Sequence, residues 1–233
     1  FYLLRFTNPN YLKWINKEID FHKKFLNKGN QLIFDLGANL GDKSHVFSFF
    51  SKNLILYEPE EKLVKKLKFR FKKKKEVKIK NYVVLDEIKK IDFYSAEGKE
   101  SHSSVIKGYL ENFAGAESTN IIVKQKETTT LNHEINIHGN PYYCKIDCEG
   151  AEEKILKNLS FKINIISFEA YVPKFYQNTV KIIEDFEKKF NSSFNLRKDY
   201  EYDFFLKKNV KSDQIKKILS ETSGVFEVFI FTD

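Results

Sequence analysis

The chain has 233 residues, with 40 Lys+Arg against 32 Asp+Glu, a formal charge of +8, and 42% hydrophobic and 15% aromatic residues. That apolar content excludes intrinsic disorder and suits one globular domain with its own core. No apolar run approaches the ~18 residues of a membrane span, and two cysteines cannot build a disulfide framework.

The sequence begins at Phe1 and contains no Met, so some N-terminal sequence is expected to be missing. No arginine-rich leader or cleavable apolar signal is visible. Cys144 and Cys148 read as free thiols, and the expected location is a reducing, cytoplasmic one.

Taken in order, Asn10–Asn27 has helical spacing at Leu12, Ile15, Ile19 and Leu26, with Gly29 placed as its C-cap. Gln31–Leu36 reads as a buried strand running into Gly-Ala-Asn-Leu-Gly, and a helix is expected over Asp42–Phe50. Asn53–Tyr57 is a second buried strand. Pro59 and the acids Glu60 and Glu61 then fit the first turn of a helix with Leu63, Val64, Leu67 and Phe71 on its apolar face. Between Lys62 and Lys80 stand eleven Lys/Arg and one acid, Glu76. Such a run is either the wet face of that helix or a contact for phosphate or another polyanion.

Glu76–Leu85 is expected as the third strand. Lys90–Tyr94 and Asn120–Gln125 flank the polar stretch Ser95–Ser104 and suggest a paired-strand insertion around 90–125. A short Thr-capped helix is expected over Thr128–Ile135, a fourth strand over Tyr142–Ile146, a helix over Gly150–Leu159 and a fifth strand over Ile163–Phe168. Tyr176–Phe190 reads as helix, Phe194–Leu206 as an interrupted strand, Ser212–Glu221 as helix and Val225–Thr232 as a last strand. The alternation implies an α/β fold, a parallel sheet with helices on both faces, whose ligands bind at the carboxyl ends of the strands.

Two segments carry chemistry. Asp35-Leu-Gly37-Ala-Asn39-Leu-Gly41 joins the first strand to a helix. Gly37 permits a tight turn and close approach of a ligand, while Gly41 lets the helix pack on the strand. Asn39 replaces the second glycine of the G-x-G-x-x-G pattern used for nicotinamide dinucleotides. The acid ahead of Gly37 opposes a pyrophosphate but accepts hydrogen bonds from an amino group. S-adenosylmethionine, with an ammonium and no phosphate, fits this loop better. Glu58, 21 residues beyond Gly37 and followed by Pro59, stands where such folds place a carboxylate on ribose hydroxyls. The plainer alternative is an exposed acid at a helix start.

The second segment, Lys145-Ile-Asp147-Cys-Glu149-Gly-Ala-Glu152, ends the fourth strand in three acids. Asp147 and Glu149 can orient an acceptor hydroxyl, accept its proton or stabilise a sulfonium. Capping of the next helix is the alternative, and Glu152 fits it best. His102, in polar Glu-Ser-His-Ser-Ser, is a further base candidate on a lid over the crevice, with Glu169 behind it. Asp147 and Glu149 can also share a hard cation such as Mg²⁺, but no metal motif is present and no metal is expected.

Asp35–Gly41, Glu58-Pro59 and Lys145–Glu152, in this order and at these separations, resemble the FkbM family of S-adenosylmethionine-dependent methyltransferases. Weaker echoes are Asp92–Tyr94 with Ser101–Ser104, Thr130-Leu131 and Phe168-Glu169. Cys148, where valine is more usual, is a small departure. The resemblance covers 31–171. It implies a Rossmann-like, seven-stranded class I methyltransferase sheet and methyl transfer to oxygen, commonly of a sugar, glycan or glycosylated metabolite. It places Asp35, Gly37, Asn39 and Gly41 in the cofactor loop, Glu58 and Pro59 at the ribose, Val84 and Leu85 near the adenine, and Asp147 and Glu149 at the methyl group. One domain is then expected over 1–233, with an N-terminal helical segment (1–30), a cofactor-binding core (31–171) and a tail completing the sheet (172–233). The expected partner is a small-molecule or glycan acceptor. Nucleic acid is disfavoured because the Asn/Asp-Pro-Pro-Tyr-type segment of base methylation is absent. Nucleic-acid (RNA) methylation and a noncatalytic cofactor-binding module are the alternative readings.

Overall fold

The computed structural model describes residues 8–96, 99–106, 120–199 and 201–232, with backbone alone for 99–102. Its strands are β1 (Ile33–Leu36), β2 (Leu54–Tyr57), β3 (Lys78–Lys80), β4 (Val83–Leu85), β5 (Lys90–Ala96), β6 (Lys99–Ser104), β7 (Ile121–Thr130), β8 (Tyr143–Ile146), β9 (Ile165–Val172), β10 (Ser193–Lys198) and β11 (Gly224–Phe231). The helices are α1 (Pro9–His22), α2 (Asp42–Phe47), α3 (Glu61–Arg70), α4 (Leu131–His138), α5 (Glu152–Leu156), α6 (Tyr176–Phe190) and α7 (Ser212–Ser220).

Seven strands form one sheet in the order β10-β11-β9-β8-β1-β2-β3. β3, β2, β1, β8 and β9 run parallel, and β11 lies antiparallel between β9 and β10. This is the Rossmann-like class I methyltransferase sheet. Its central strands are buried on both faces, as parallel strands between helical layers must be. In β2, Ile55 and Tyr57 pack into one core with Phe34, Ile155 and Ile183. Leu54 and Leu56 pack into the opposite core with Phe21, Phe47 and Leu67.

The sequence places one strand over Glu76–Leu85; the structure breaks it in two. β3 pairs with β2 at the edge of the main sheet, whereas β4 pairs in parallel with β7 in a second sheet, β4-β7-β5-β6. Asn81 sits at the break, its Nδ2 donating to Glu58 O at 2.9 Å and Pro59 O at 2.8 Å. The paired-strand insertion is thus larger than a hairpin. β5 pairs antiparallel with β7 along Lys90–Ala96.

Other boundaries shift for local reasons. α1 stops at His22, and Leu26 N then reaches back to His22 O at 2.7 Å, a turn that buries Leu26. Gly29 lies beyond this turn, bridged to Ser51, and is not the cap. Thr128 and Thr129 finish β7, so α4 starts only at Leu131, capped by Thr130 Oγ1 on His133 N at 3.1 Å.

α3 forms as its spacing predicts, with Leu63, Val64 and Leu67 buried. The second sheet is clamped to its start by Lys124–Glu60 at 2.7 Å and Lys126–Glu61 at 3.0 Å.

Candidate functional site

The β1–α2 loop is shaped by backbone contacts that only certain residues allow. Gly37 and Ala38 both donate to Tyr57 O at 3.0 Å, bending the chain over the end of β2. Gly37 has φ +76°, and a Cβ there would lie 1.8 Å from the Asp147 carbonyl oxygen. The tips of β1 and β8 therefore touch because position 37 has no side chain. Asn39 also takes a positive φ of 52°. At Gly41 a Cβ would meet Leu67 Cδ2 at 2.6 Å, so this glycine sets how closely α3 packs on the start of α2.

Glu58, at the end of β2, is 5% exposed. Its carboxylate accepts Asn39 N and Glu60 N, each at 2.8 Å, tying the loop to the start of α3. Burial pushes its carboxyl up to about 7 despite these amides. Each oxygen keeps a second lone pair for a ligand hydroxyl.

Asp35 lies under the loop, fully buried, and accepts Ser44 Oγ. Its other oxygen has Lys145 Nζ at 3.6 Å, and burial raises its carboxyl above the ordinary range. Lys145, inside apolar β8, donates to Asp147 Oδ2 at 3.0 Å. Burial opposes its charge, but Asp147 and Asp35 outweigh burial and hold it above the usual lysine range. A lysine within Tyr-Tyr-Cys-Lys-Ile was the available sequence signal for this ion pair.

Beyond β8 the chain turns through Glu149 (φ 53°) and Gly150. Glu152 caps this turn, accepting Cys148 N at 2.9 Å and Gly150 N at 3.4 Å, and burial pushes its carboxyl up to about 7. Ser104 Oγ donates to Glu149 O at 3.0 Å, closing β6 over the turn.

These elements enclose a cavity of about 630 Å³, counted with its open mouth. Gly37, Asn39, Glu58, Pro59, Asp147 and Glu149 all line it. Val84 does too, beside Tyr82 and Phe93, apolar groups with which the second sheet walls the cavity. Neither Tyr82 nor Phe93 stood out in the sequence, because only the packing of the second sheet brings them here. Asp35, Gly41 and Leu85 do not line the cavity. The first two support the loop from below, and Leu85 is buried in the core. His102 falls in strand β6 rather than a lid loop, and its side chain lies outside the described residues. Among the described residues no group of three or more His, Cys, Asp or Glu side chains is arranged to hold a metal ion.

The cavity fits an adenosyl sulfonium. Its apolar wall of Val84 and Phe93 matches a purine, Glu58 matches vicinal hydroxyls, and the side-chain-free Gly37 gives the closest approach to the strand tips.

The pattern of the family described as "Methyltransferase FkbM domain" matches residues 35–204. Among solved structures, an FkbM methyltransferase from Methylobacillus flagellatus KT superposes with a TM-score of 0.53 at 11% identity, over 87% of this chain and 44% of that one. A precorrin-6y C5,15-methyltransferase from Geobacter metallireducens GS-15 gives 0.46 at 10% identity, over 96% and 87% of the two chains. An S-adenosylmethionine-dependent O-methyltransferase from Thermotoga maritima gives 0.45 at 11% identity, over 93% and 64%. The chain thus spans less than half of the Methylobacillus protein. No curated protein sequence matches it.

Proposed function

The chain belongs to the FkbM methyltransferase family, whose members take their methyl group from S-adenosylmethionine, and from that premise we propose that it methylates a hydroxyl oxygen of a sugar, glycan or glycosylated metabolite. One observation carries the reading: Asp147 and Glu149 line the same cavity as the glycine turn and Glu58.

The residues that would hold the cofactor are Gly37 and Asn39 through the loop backbone, Glu58 at the ribose, and Val84 with Tyr82 and Phe93 at the base. Bound there, it supplies an electrophilic methyl on a sulfonium. Asp147 would accept the proton of the acceptor hydroxyl as the methyl passes to its oxygen, with the thioether sulfur as the leaving group. Lys145 fixes the direction of the Asp147 carboxylate through the 3.0 Å hydrogen bond. In such a displacement positioning supplies much of the acceleration.

Calorimetry with S-adenosylmethionine and with NAD tests the cofactor assignment, and preference for NAD refutes it. Incubation with labelled S-adenosylmethionine and fractionated glycans or nucleotide sugars tests the acceptor. Label found in base-stable ether linkage on a sugar supports the proposal, while label recovered only in RNA refutes it.

A further inference from the structure

On the other side of Asp147 lies a second cavity, of about 790 Å³ counted with its open mouth. We propose that this cavity, between α1, α2 and the carboxyl ends of β8 and β9, is the acceptor subsite, and that it takes an uncharged, hydroxyl-bearing ring. The proposal rests on the methyltransferase reading and goes beyond it by assigning the acceptor's place, its charge class and the residues that select it.

Position comes first. Asp147 lines both cavities, so an acceptor in the second lies one residue away from the cofactor's cavity. The volume is that of a small-molecule site.

Charge decides the class. The three cations on the wall are all engaged. Lys43 binds Glu18 at 2.6 Å, Arg197 binds Glu18 at 3.1 Å and also Glu227, and Lys145 binds Asp147 at 3.0 Å. Among the described residues each lining cation already has a carboxylate partner, and the remaining charged wall is acidic. An anionic acceptor would enter against Asp147, Asp199 and Glu201.

Glu169 on β9 is the group left to recognise a hydroxyl. Its carboxyl has no hydrogen-bond or ion-pair partner among the described residues, yet it stands beside Glu227 in the sheet register. Burial, with the acids Asp147, Glu149 and Glu152 around it and only Lys145 opposing them, pushes its carboxyl up to about 9. At neutral pH it is a protonated acid, a donor to a hydroxyl oxygen opposite the accepting Asp147. The half-buried rings of Trp14 and Tyr202 add apolar wall for the C–H face of a ring. Trp14 and Glu18 lie on α1, ahead of the 35–204 segment shared with the family, so part of this selection belongs to the N-terminal helix.

Trp14 is the one tryptophan in the chain, and its emission reports on this cavity directly. The protein, saturated with S-adenosylhomocysteine, is titrated with a panel of methyl hexosides and deoxyhexosides and with glucose 6-phosphate. At least one uncharged glycoside is expected to change Trp14 emission saturably, and glucose 6-phosphate is not. Glu169→Gln, which keeps a donor, retains that response, while Glu169→Ala weakens it about tenfold. Response to no glycoside, or a stronger response to glucose 6-phosphate, overturns the proposal while calorimetric binding of S-adenosylhomocysteine leaves the methyltransferase reading intact. A Trp14 response to S-adenosylhomocysteine alone assigns the cavity to the cofactor and overturns the proposal as well. Failure of S-adenosylhomocysteine to bind at all refutes the underlying reading.

Discussion

The two cavities that meet at Asp147 are cut from the same strand tips but have opposite walls, one of Val84, Phe93 and a glycine turn, the other of Lys43, Lys145, Glu169 and Arg197. The difference follows from the two-residue period of a strand. In β8, Cys144 and Ile146 point into the core shared with α5 and α6. Tyr143 points into the opposite core, and Lys145, on that same face, reaches Asp35 and Asp147. One face of the sheet is sealed by apolar helices and a second sheet. The other carries a buried network of Glu18, Lys43, Arg197 and Glu227 linking α1 and α2 to the last two strands. Shape organises the first cavity and charge pairing the second.

That contrast can be broken from either side. The largest effect is expected from Gly37→Ala, which sets a methyl 1.8 Å from the Asp147 carbonyl at φ +76°. Calorimetry should show S-adenosylmethionine binding abolished, with a fold weakened by about 3 kcal/mol or more. Retained binding would mean that the strand tips are not the cofactor's seat.

Asp147→Asn keeps the shape of both cavities and removes the proposed base. Transfer is expected to fall by about 10²–10⁴ while calorimetric cofactor affinity stays within about threefold. Equal losses in both would turn Asp147 into a cofactor ligand only.

Arg197→Ala strips the charged side of a buried guanidinium and leaves Glu18 and Glu227 without their shared partner. Urea unfolding is expected to show a loss of about 3 kcal/mol. Cofactor affinity of the folded fraction should be unchanged, since nothing on the apolar side is touched.

His22, packed beside Glu18 among Phe25, Phe47 and Tyr143, is held down to about 4, first by burial and then by Lys43. The unfolded chain takes up this proton from about pH 6.5, so the folded state loses stability as pH falls from there and has lost about 3 kcal/mol from this group below pH 4. In thermal scans His22→Phe should flatten that acid limb relative to the wild type. An unchanged limb would put the acid sensitivity elsewhere.

The smallest effect tests a surface that belongs to neither cavity. Lys65→Glu and Lys66→Glu, on the exposed face of α3, should change stability by less than about 0.5 kcal/mol and leave glycan methylation intact. Loss of salt-sensitive RNA binding together with activity would favour the polyanion reading of that run.

The sequence exposed the apolar side far better than the charged one. The Asp35–Gly41 loop, Glu58 and the Asp147–Glu149 segment are local patterns, and each lies where its strand ends. The amphipathic α3 and the β5–β7 pairing were equally readable from spacing. Glu76–Leu85 was not, because only two residues separate β3 from β4, and only the capture of Asn81 by Glu58 O and Pro59 O shows where the chain leaves one sheet for another. Thr128 and Thr129 read as a helix start because threonine caps helices, but Thr128 pairs with Val83 and Thr129 with Val84 in the second sheet. Tyr82 and Phe93 reach the first cavity for the same long-range reason.

What the residues dictated alone was the order of strands and helices, the glycine turn, the placing of acids at strand ends and, through these, the family. Those features depend on interactions spanning a few positions, where backbone sterics and hydrophobic period dominate. The tertiary structure decided which carboxylates stay paired and which stand alone. Glu18 meets Arg197, Asp35 meets Lys145, and Glu169 meets no cation of its own. Burial and charge act through space, and the partners that set them are separated by more than a hundred residues of chain.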